Sequence, residues 1–81
     1  MNLKRRLVED ALHDIKAYVD ASPSSKRMEE VRRAAADALA FIISTRCKAI
    51  CRDIGMDYEA DVMDLIRRNA RHPGILNQVA A

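Results

Sequence analysis

The feature that most constrains this chain is the segment between Pro23 and Gly55, about 30 residues that include neither glycine nor proline. Its apolar residues recur at spacings of three and four, which is the period of an α-helix. A helix of that length extends roughly 45 Å, which is long for a chain of 81 residues. We therefore predict one uninterrupted central helix that begins near Ser24, with Ser22, Ser24 or Ser25 as its N-cap, and ends at Gly55.

Shorter helices are predicted on both sides of the central helix. From Asn2, a candidate N-cap, to about Ala21, apolar residues repeat at spacings of three, four and seven. After Gly55, Asp57 can cap a third helix that runs to about Arg71. The spacing thus predicts an all-α fold in one domain over residues 1–81, in which the long central helix is flanked by two shorter antiparallel helices.

The end of the chain is less regular. His72, Pro73 and Gly74 form a turn, and the residues beyond it suggest a short final helix or a docked tail. The apolar residues of this tail are Ile75, Leu76 and Val79.

The central helix has two apolar stripes, displaced from each other by roughly 110° around the helix axis. Met28, Val31, Ala35, Ala38 and Ile42 form the first stripe, and Leu39, Ile43, Cys47, Ile50 and Ile54 form the second. The first helix can cover the first stripe, and the third helix can cover the second. The two stripes overlap in the middle, where Phe41 adds a third direction, so the midsection is apolar on most sides.

An apolar midsection of this kind predicts a homodimer. A single layer of flanking helices leaves part of it exposed, and large exposed apolar patches usually mark interfaces. A chain of 81 residues also has a small core, which oligomerisation commonly supplements. The predicted interface residues are Leu39, Phe41, Ile42 and Ile43. The alternative is that the tail folds over the midsection and completes a monomeric bundle.

Composition narrows the cellular setting. The longest apolar run, from Ala38 to Ile43, is far shorter than the roughly 20 residues that span a bilayer. The basic residues near the N-terminus are followed by acidic ones rather than by the apolar region of a secretory signal. We therefore expect a cytoplasmic protein that does not associate with membranes.

The sequence offers no constellation typical of an enzyme or a metal site. Cys47 and Cys51 lie four residues apart among isoleucines, which favours core packing over zinc ligation, redox chemistry or an intrahelical disulfide. His13 lies opposite the apolar stripe of the first helix and His72 lies in a turn, so both are expected to be solvated. Phosphate-binding and hydrolase motifs do not occur. We expect no enzymatic activity and no cofactor.

A small helical protein without catalytic groups can still bind a partner through its surface. The leading hypothesis is therefore a module that docks onto another protein as an adaptor, inhibitor or regulator. Cations at the start of a helix oppose its dipole and gain nothing there. The basic residues at the start of the first helix therefore either form a solubilising end that pairs with Glu9 and Asp10, or face an anionic partner surface. The candidate partner-binding residues are Arg5, Arg6, Arg32 and Arg33. The alternative is a dimeric nucleic-acid-binding regulator that uses basic clusters, although a net charge of +2 and the acidic start of the third helix argue against it.

Overall fold

A computed structural model describes residues 3–72 and 74–79, with side chains for residues 3–72 and 74–77. It confirms the all-α class, and no strand occurs within these ranges. The helices are α1 (Leu3–Asp20), α2 (Met28–Ile42), α3 (Thr45–Ile54), a π-helical segment (Tyr58–Met63) that continues directly into α4 (Asp64–Arg68), and α5 (Leu76–Val79). None of the helices in the described ranges is long and apolar enough to cross a membrane.

The first helix forms close to where the sequence predicts it. Its buried residues are Val8, Ala11, Ile15 and Tyr18, which follow the helical spacing of three and four. They pack against α2, whose buried residues include Ala35, Ala38 and Ile42 of the predicted first stripe. The predicted N-cap Asn2 lies outside the described residues.

The prediction of one uninterrupted central helix is wrong. The chain from Ser22 to Arg27 forms turns, so the helix begins at Met28 and none of the predicted serine caps is used. It then ends at Ile42, and a second helix begins at Thr45. The boundaries therefore divide the segment into α2 and α3, with neither glycine nor proline at the break.

Ser44 accounts for the break. Its backbone is extended, at φ −77° and ψ 155°, and its side chain accepts a hydrogen bond from the backbone N–H of Cys47, which caps α3. The same hydroxyl donates to the carbonyl of Phe41 at the end of α2. The hydroxyl of Tyr58 donates to the carbonyl of Ile42 at 2.7 Å. Polar groups at the end of α2 and the start of α3 thus obtain partners that a continuous helix would not need.

The third predicted helix is shorter and less regular than expected. Gly55 ends α3 in the left-handed conformation, at φ 73°, as predicted. Asp57 is an N-cap as predicted and accepts a hydrogen bond from the backbone N–H of Ala60. The helix nevertheless starts with a π-helical segment, and α4 ends at Arg68 rather than near Arg71.

One hydrophobic core joins the two halves of the chain. It includes Val8 and Ile15 of α1, Ile42 of α2, and Ile66 of α4. Leu76 of the tail is fully buried in the same core, and Gly74 packs closely against Tyr18, which places the tail beside the end of α1. The side chain of Val79, also predicted to dock, lies outside those that the structure describes.

Candidate functional site: a groove between the first two helices

The structure divides the predicted dimer interface between the core and the surface. Leu39 and Ile42 are only 5% and 0% exposed, since they pack inside the core of the single chain. The predicted interface requires both side chains to be on the surface of the folded protein, and the structure instead buries them. Phe41 is half-buried at the edge of the core, and Ile43 is 49% exposed. The homodimer itself remains a prediction.

The four predicted partner-binding arginines are all on the surface but do not form one patch. Arg5 and Arg6, near the start of α1, pair with Glu9 and Asp10 at 4.0 Å and 3.8 Å. Arg32, near the start of α2, lines a separate hollow together with Tyr18 and Pro23. Arg33 belongs to a further hollow, formed by α2 alone.

The surface between α1 and α2 has a groove of about 370 Å³. Its lining residues are Leu7, Asp10, Ala11 and Asp14 from α1, and Ala34, Asp37, Ala38 and Phe41 from α2. Each set has the spacing i, i+3, i+4, i+7, so each is a single stripe along its helix. Leu7 shares one end of the groove with Phe41. A neighbouring hollow places Ala17 beside Arg27, which shows that the two helices run antiparallel.

Exposed apolar side chains concentrate at one end of this helix pair. The large hydrophobic residues with high exposure in the described chain are Leu3 at 71%, Ile43 at 49% and Leu7 at 45%. Leu3 precedes Leu7 by one turn, and Ile43 follows Phe41 by two residues, so antiparallel packing brings them to the same end. The apolar residues of the first helix are therefore only partly covered by its own chain.

Carboxylates line the groove together with the apolar groups. Asp10 has a partner in Arg6. Asp14 is half-buried and Asp37 is exposed, and neither forms an ion pair with a side chain in residues 3–72 or 74–77. No lysine or arginine lines the groove among the described residues. This groove is not among the sites predicted from the sequence, although its two stripes share the spacing i, i+3, i+4, i+7.

The cysteines and histidines do not assemble a reactive site among the described residues. Cys47 and Cys51 are buried and reduced, and burial, with the neighbouring Cys51, raises the pKa of Cys47 to about 11. Its thiol is therefore protonated and unreactive at neutral pH. His13 is exposed as predicted, but His72 is not fully solvated. Its ring lies 5.1 Å from that of Tyr18, and its Nδ1 is buried without a described hydrogen-bond partner.

Metal ligation is not indicated by the geometry of the described chain. No group of three or more histidine, cysteine or acidic side chains within residues 3–72 and 74–77 is arranged to hold a metal ion. The groove between α1 and α2 combines an exposed apolar group, Leu7, with carboxylates that form no ion pair within residues 3–72 and 74–77, those of Asp14 and Asp37. Comparisons of the chain with protein-family models, with curated proteins and with solved structures find no match.

Proposed function

We propose that this protein is a non-enzymatic interaction module that docks onto a partner protein through the α1–α2 groove. The observation that carries the proposal is the exposure of Leu7 beside Phe41, next to the carboxylates of Asp14 and Asp37, which form no ion pair with a described side chain. Apolar surface of this kind gains free energy when it leaves water, and flanking charges give orientation and specificity. A role as an adaptor, inhibitor or regulator is consistent with such a surface.

A nucleic-acid partner is the alternative, and it would have to use another face. The groove carries acidic groups, which repel phosphates. On α3, Arg46, Lys48 and Arg52 are exposed, but Lys48 lies 5.6 Å from the ring centroid of Tyr58 and the nearby Lys4 pairs with Asp53 at 3.0 Å. Some of the local positive charge is thus already engaged within the fold, which favours a protein partner.

Site-specific photo-crosslinking tests the proposal. A benzophenone amino acid replaces Leu7, at the groove, or Ala36, which is exposed on the opposite face of α2. Both variants are expressed in cells of the source organism and irradiated. We expect position 7 to capture a defined protein, at a level that unlabelled wild-type chain reduces by competition, and position 36 not to capture it.

Two results would contradict the proposal. One is equal capture at positions 7 and 36, which would mean that the groove has no special role. The other is a nucleic acid as the principal crosslinked species, with binding that weakens steeply as salt increases, because phosphate contacts release counterions.

We also propose that the module acts as a homodimer. Of the predicted interface residues, Ile43 remains exposed outside the groove, and Leu3 lies at the same end of the helix pair. Phe41 is half-buried and lines the groove that we assign to the partner. Light scattering over a dilution series, in moderate salt with reductant, should give twice the mass of the 9.1 kDa chain. Ile43→Ser should shift the equilibrium toward monomer, whereas Ala36→Ser should not. A single-chain mass at every concentration would rule the dimer out.

A further inference from the structure

We infer that the partner presents a basic amphipathic helix to the α1–α2 groove. This inference rests on the proposed function and specifies the chemistry of the partner: apolar residues along one stripe of a helix, with lysine or arginine beside them. Three observations support the inference: the shape of the groove, its negative charge, and the repulsion that this charge would cause with other binding partners.

The shape of the groove suits a helix. The small side chains of Ala11, Ala34 and Ala38 form its floor, so another backbone can approach closely. A neighbouring hollow of about 250 Å³ shares Asp14 and Ala34 with the groove and extends it along the same helix pair. From Leu7 to Ala17 the two hollows span about 15 Å of α1, which matches about three turns of a docked helix.

The charge of the groove selects a basic partner. Asp10, Asp14 and Asp37 line the groove between Leu7 and Phe41 without any lysine or arginine from the described chain, although the whole protein has a net charge of +2. The adjoining hollow does include Arg27, which pairs with Glu30 at 3.2 Å. Asp14 is half-buried and has no ion pair with the side chains of residues 3–72 and 74–77, so these side chains do not compensate for the hydration that it loses. A cation from the partner would supply that compensation. Apolar groups at the Leu7 end would meet Leu7 and Phe41.

The same charges disfavour other occupants. Two copies that docked groove to groove would bring six aspartates together, three from each copy, and this like-charge repulsion opposes self-association through the groove. Nucleic acid and anionic lipid surfaces meet the same repulsion. The predicted homodimer would therefore use the apolar end around Ile43 and leave the acidic part of the groove to the partner.

Titration with synthetic peptides tests the inference. The isotope-labelled full chain is titrated with a peptide of about 18 residues, long enough to be partly helical, that has a leucine stripe flanked by lysines. A second peptide has glutamate in place of every lysine. We expect the lysine peptide to shift backbone resonances at Leu7, Ala11, Asp14 and Ala38, to bind more weakly as salt is raised, and to bind at least about tenfold more tightly than the glutamate peptide.

Matched variants identify the groups responsible. D37N should weaken binding of the lysine peptide about threefold, whereas D20N, which makes the same change of charge on an exposed residue outside the groove, should leave it unchanged. L7A should weaken binding by about tenfold, and L3A by less. Asp37 and Leu7 are on the surface, so these variants keep the fold, and circular dichroism melts verify this.

The outcomes separate this inference from the proposed function. Equal effects of D37N and D20N, or equal binding of the two peptides in the groove, would overturn the basic-helix partner but leave docking in place. Failure of the lysine peptide to shift the groove resonances would also overturn it. If, in addition, crosslinking at position 7 captured no protein, the proposed function would fail as well.

Discussion

The two halves of this chain are held together differently. In the first half, α1 and α2 pair along regular apolar stripes, and Arg27, the residue before the start of α2, provides no side-chain cap. In the second half the helices are short, and polar side chains define where they begin and end. Ser44 caps α3 and Asp57 caps the π-helical segment, while Asn69 donates to the carbonyl of Leu65 at 2.8 Å.

This difference supports the proposed location of the partner site. Acidic groups of the second half already serve the fold or pair locally, as in the 2.7 Å ion pair between Glu59 and Arg67 and the 2.8 Å pair between Asp64 and Arg68. In the first half, Asp14 and Asp37 have no such role among the described side chains. Groups that the fold does not use are the ones available to a partner.

The largest expected effect on stability comes from core substitutions, which test whether the two halves of the chain unfold together. Ile15 in α1 and Ile66 in α4 are both fully buried in the common core. Replacing either one by alanine should reduce the free energy of unfolding by about 2–5 kcal/mol, because a cavity remains where the side chain was. Urea unfolding should show one transition for each variant. Separate transitions for Ile66→Ala would instead mean that α1 and α2 fold on their own.

A smaller effect on stability is expected when one carboxylate from each half of the chain is removed. Asp57→Ala removes the cap on the N–H of Ala60 and should cost about 1 kcal/mol. Asp37→Ala should change stability by less than about 0.5 kcal/mol, because this exposed side chain has no described partner. Chemical denaturation measures both values. A comparable loss for Asp37→Ala would show that its carboxylate supports the fold.

The smallest expected effect is the pH dependence of stability that comes from Cys47, which is buried, and Tyr58, which is half-buried. Burial raises the pKa of Cys47 from 9.0 to about 11, and burial also raises the pKa of Tyr58. Neither group ionises at pH 6–8 in either state, so these groups leave stability unchanged there. From about pH 9 to 11 the unfolded chain loses these protons first, so stability should fall as pH rises.

Denaturation at several pH values measures this dependence, and Cys47→Ala is the control. The variant should retain only the part of the fall that comes from the remaining acids, including Tyr58. A stability that rises between pH 9 and 11, or a fall that is unchanged in the variant, would contradict the assignment to Cys47.

Periodicity predicted the regular parts of the fold. It located α1 to within one residue at each end and identified Ala35, Ala38 and Ile42 as inward-facing. Gly55 and Asp57 were also predicted, because a left-handed glycine and an aspartate N-cap have local sequence signatures. These features depend on a few neighbouring residues.

The break at Ser44 was not predicted because the local signal is ambiguous. A serine inside a helix can bond to a carbonyl of the preceding turn, and a serine at a boundary can cap the next helix. Ser44 makes both kinds of contact. The β-branched residues Ile42 and Ile43 and Thr45 also weaken helix propensity around it, but only slightly.

The candidate site was missed for a different reason. The groove depends on how α1 and α2 are rotated against each other, which spacing within one helix does not determine. For Arg5 and Arg6 the sequence allowed two roles, ion pairs with Glu9 and Asp10 or a partner surface, and the structure shows the ion pairs. The prediction also counted Leu39 as surface because it assumed a straight central helix.

The contact between Tyr58 and the carbonyl of Ile42 has a consequence for the order of events during folding. The residues that meet there are 16 positions apart, so the hydrogen bond requires the chain to have turned back after Gly55. A nascent chain that ends before Tyr58 has only Ser44 to stop the helix that begins at Met28. The connection between α2 and α3 can therefore form all of its hydrogen bonds only after Tyr58, which follows both helices in the chain, has been synthesised.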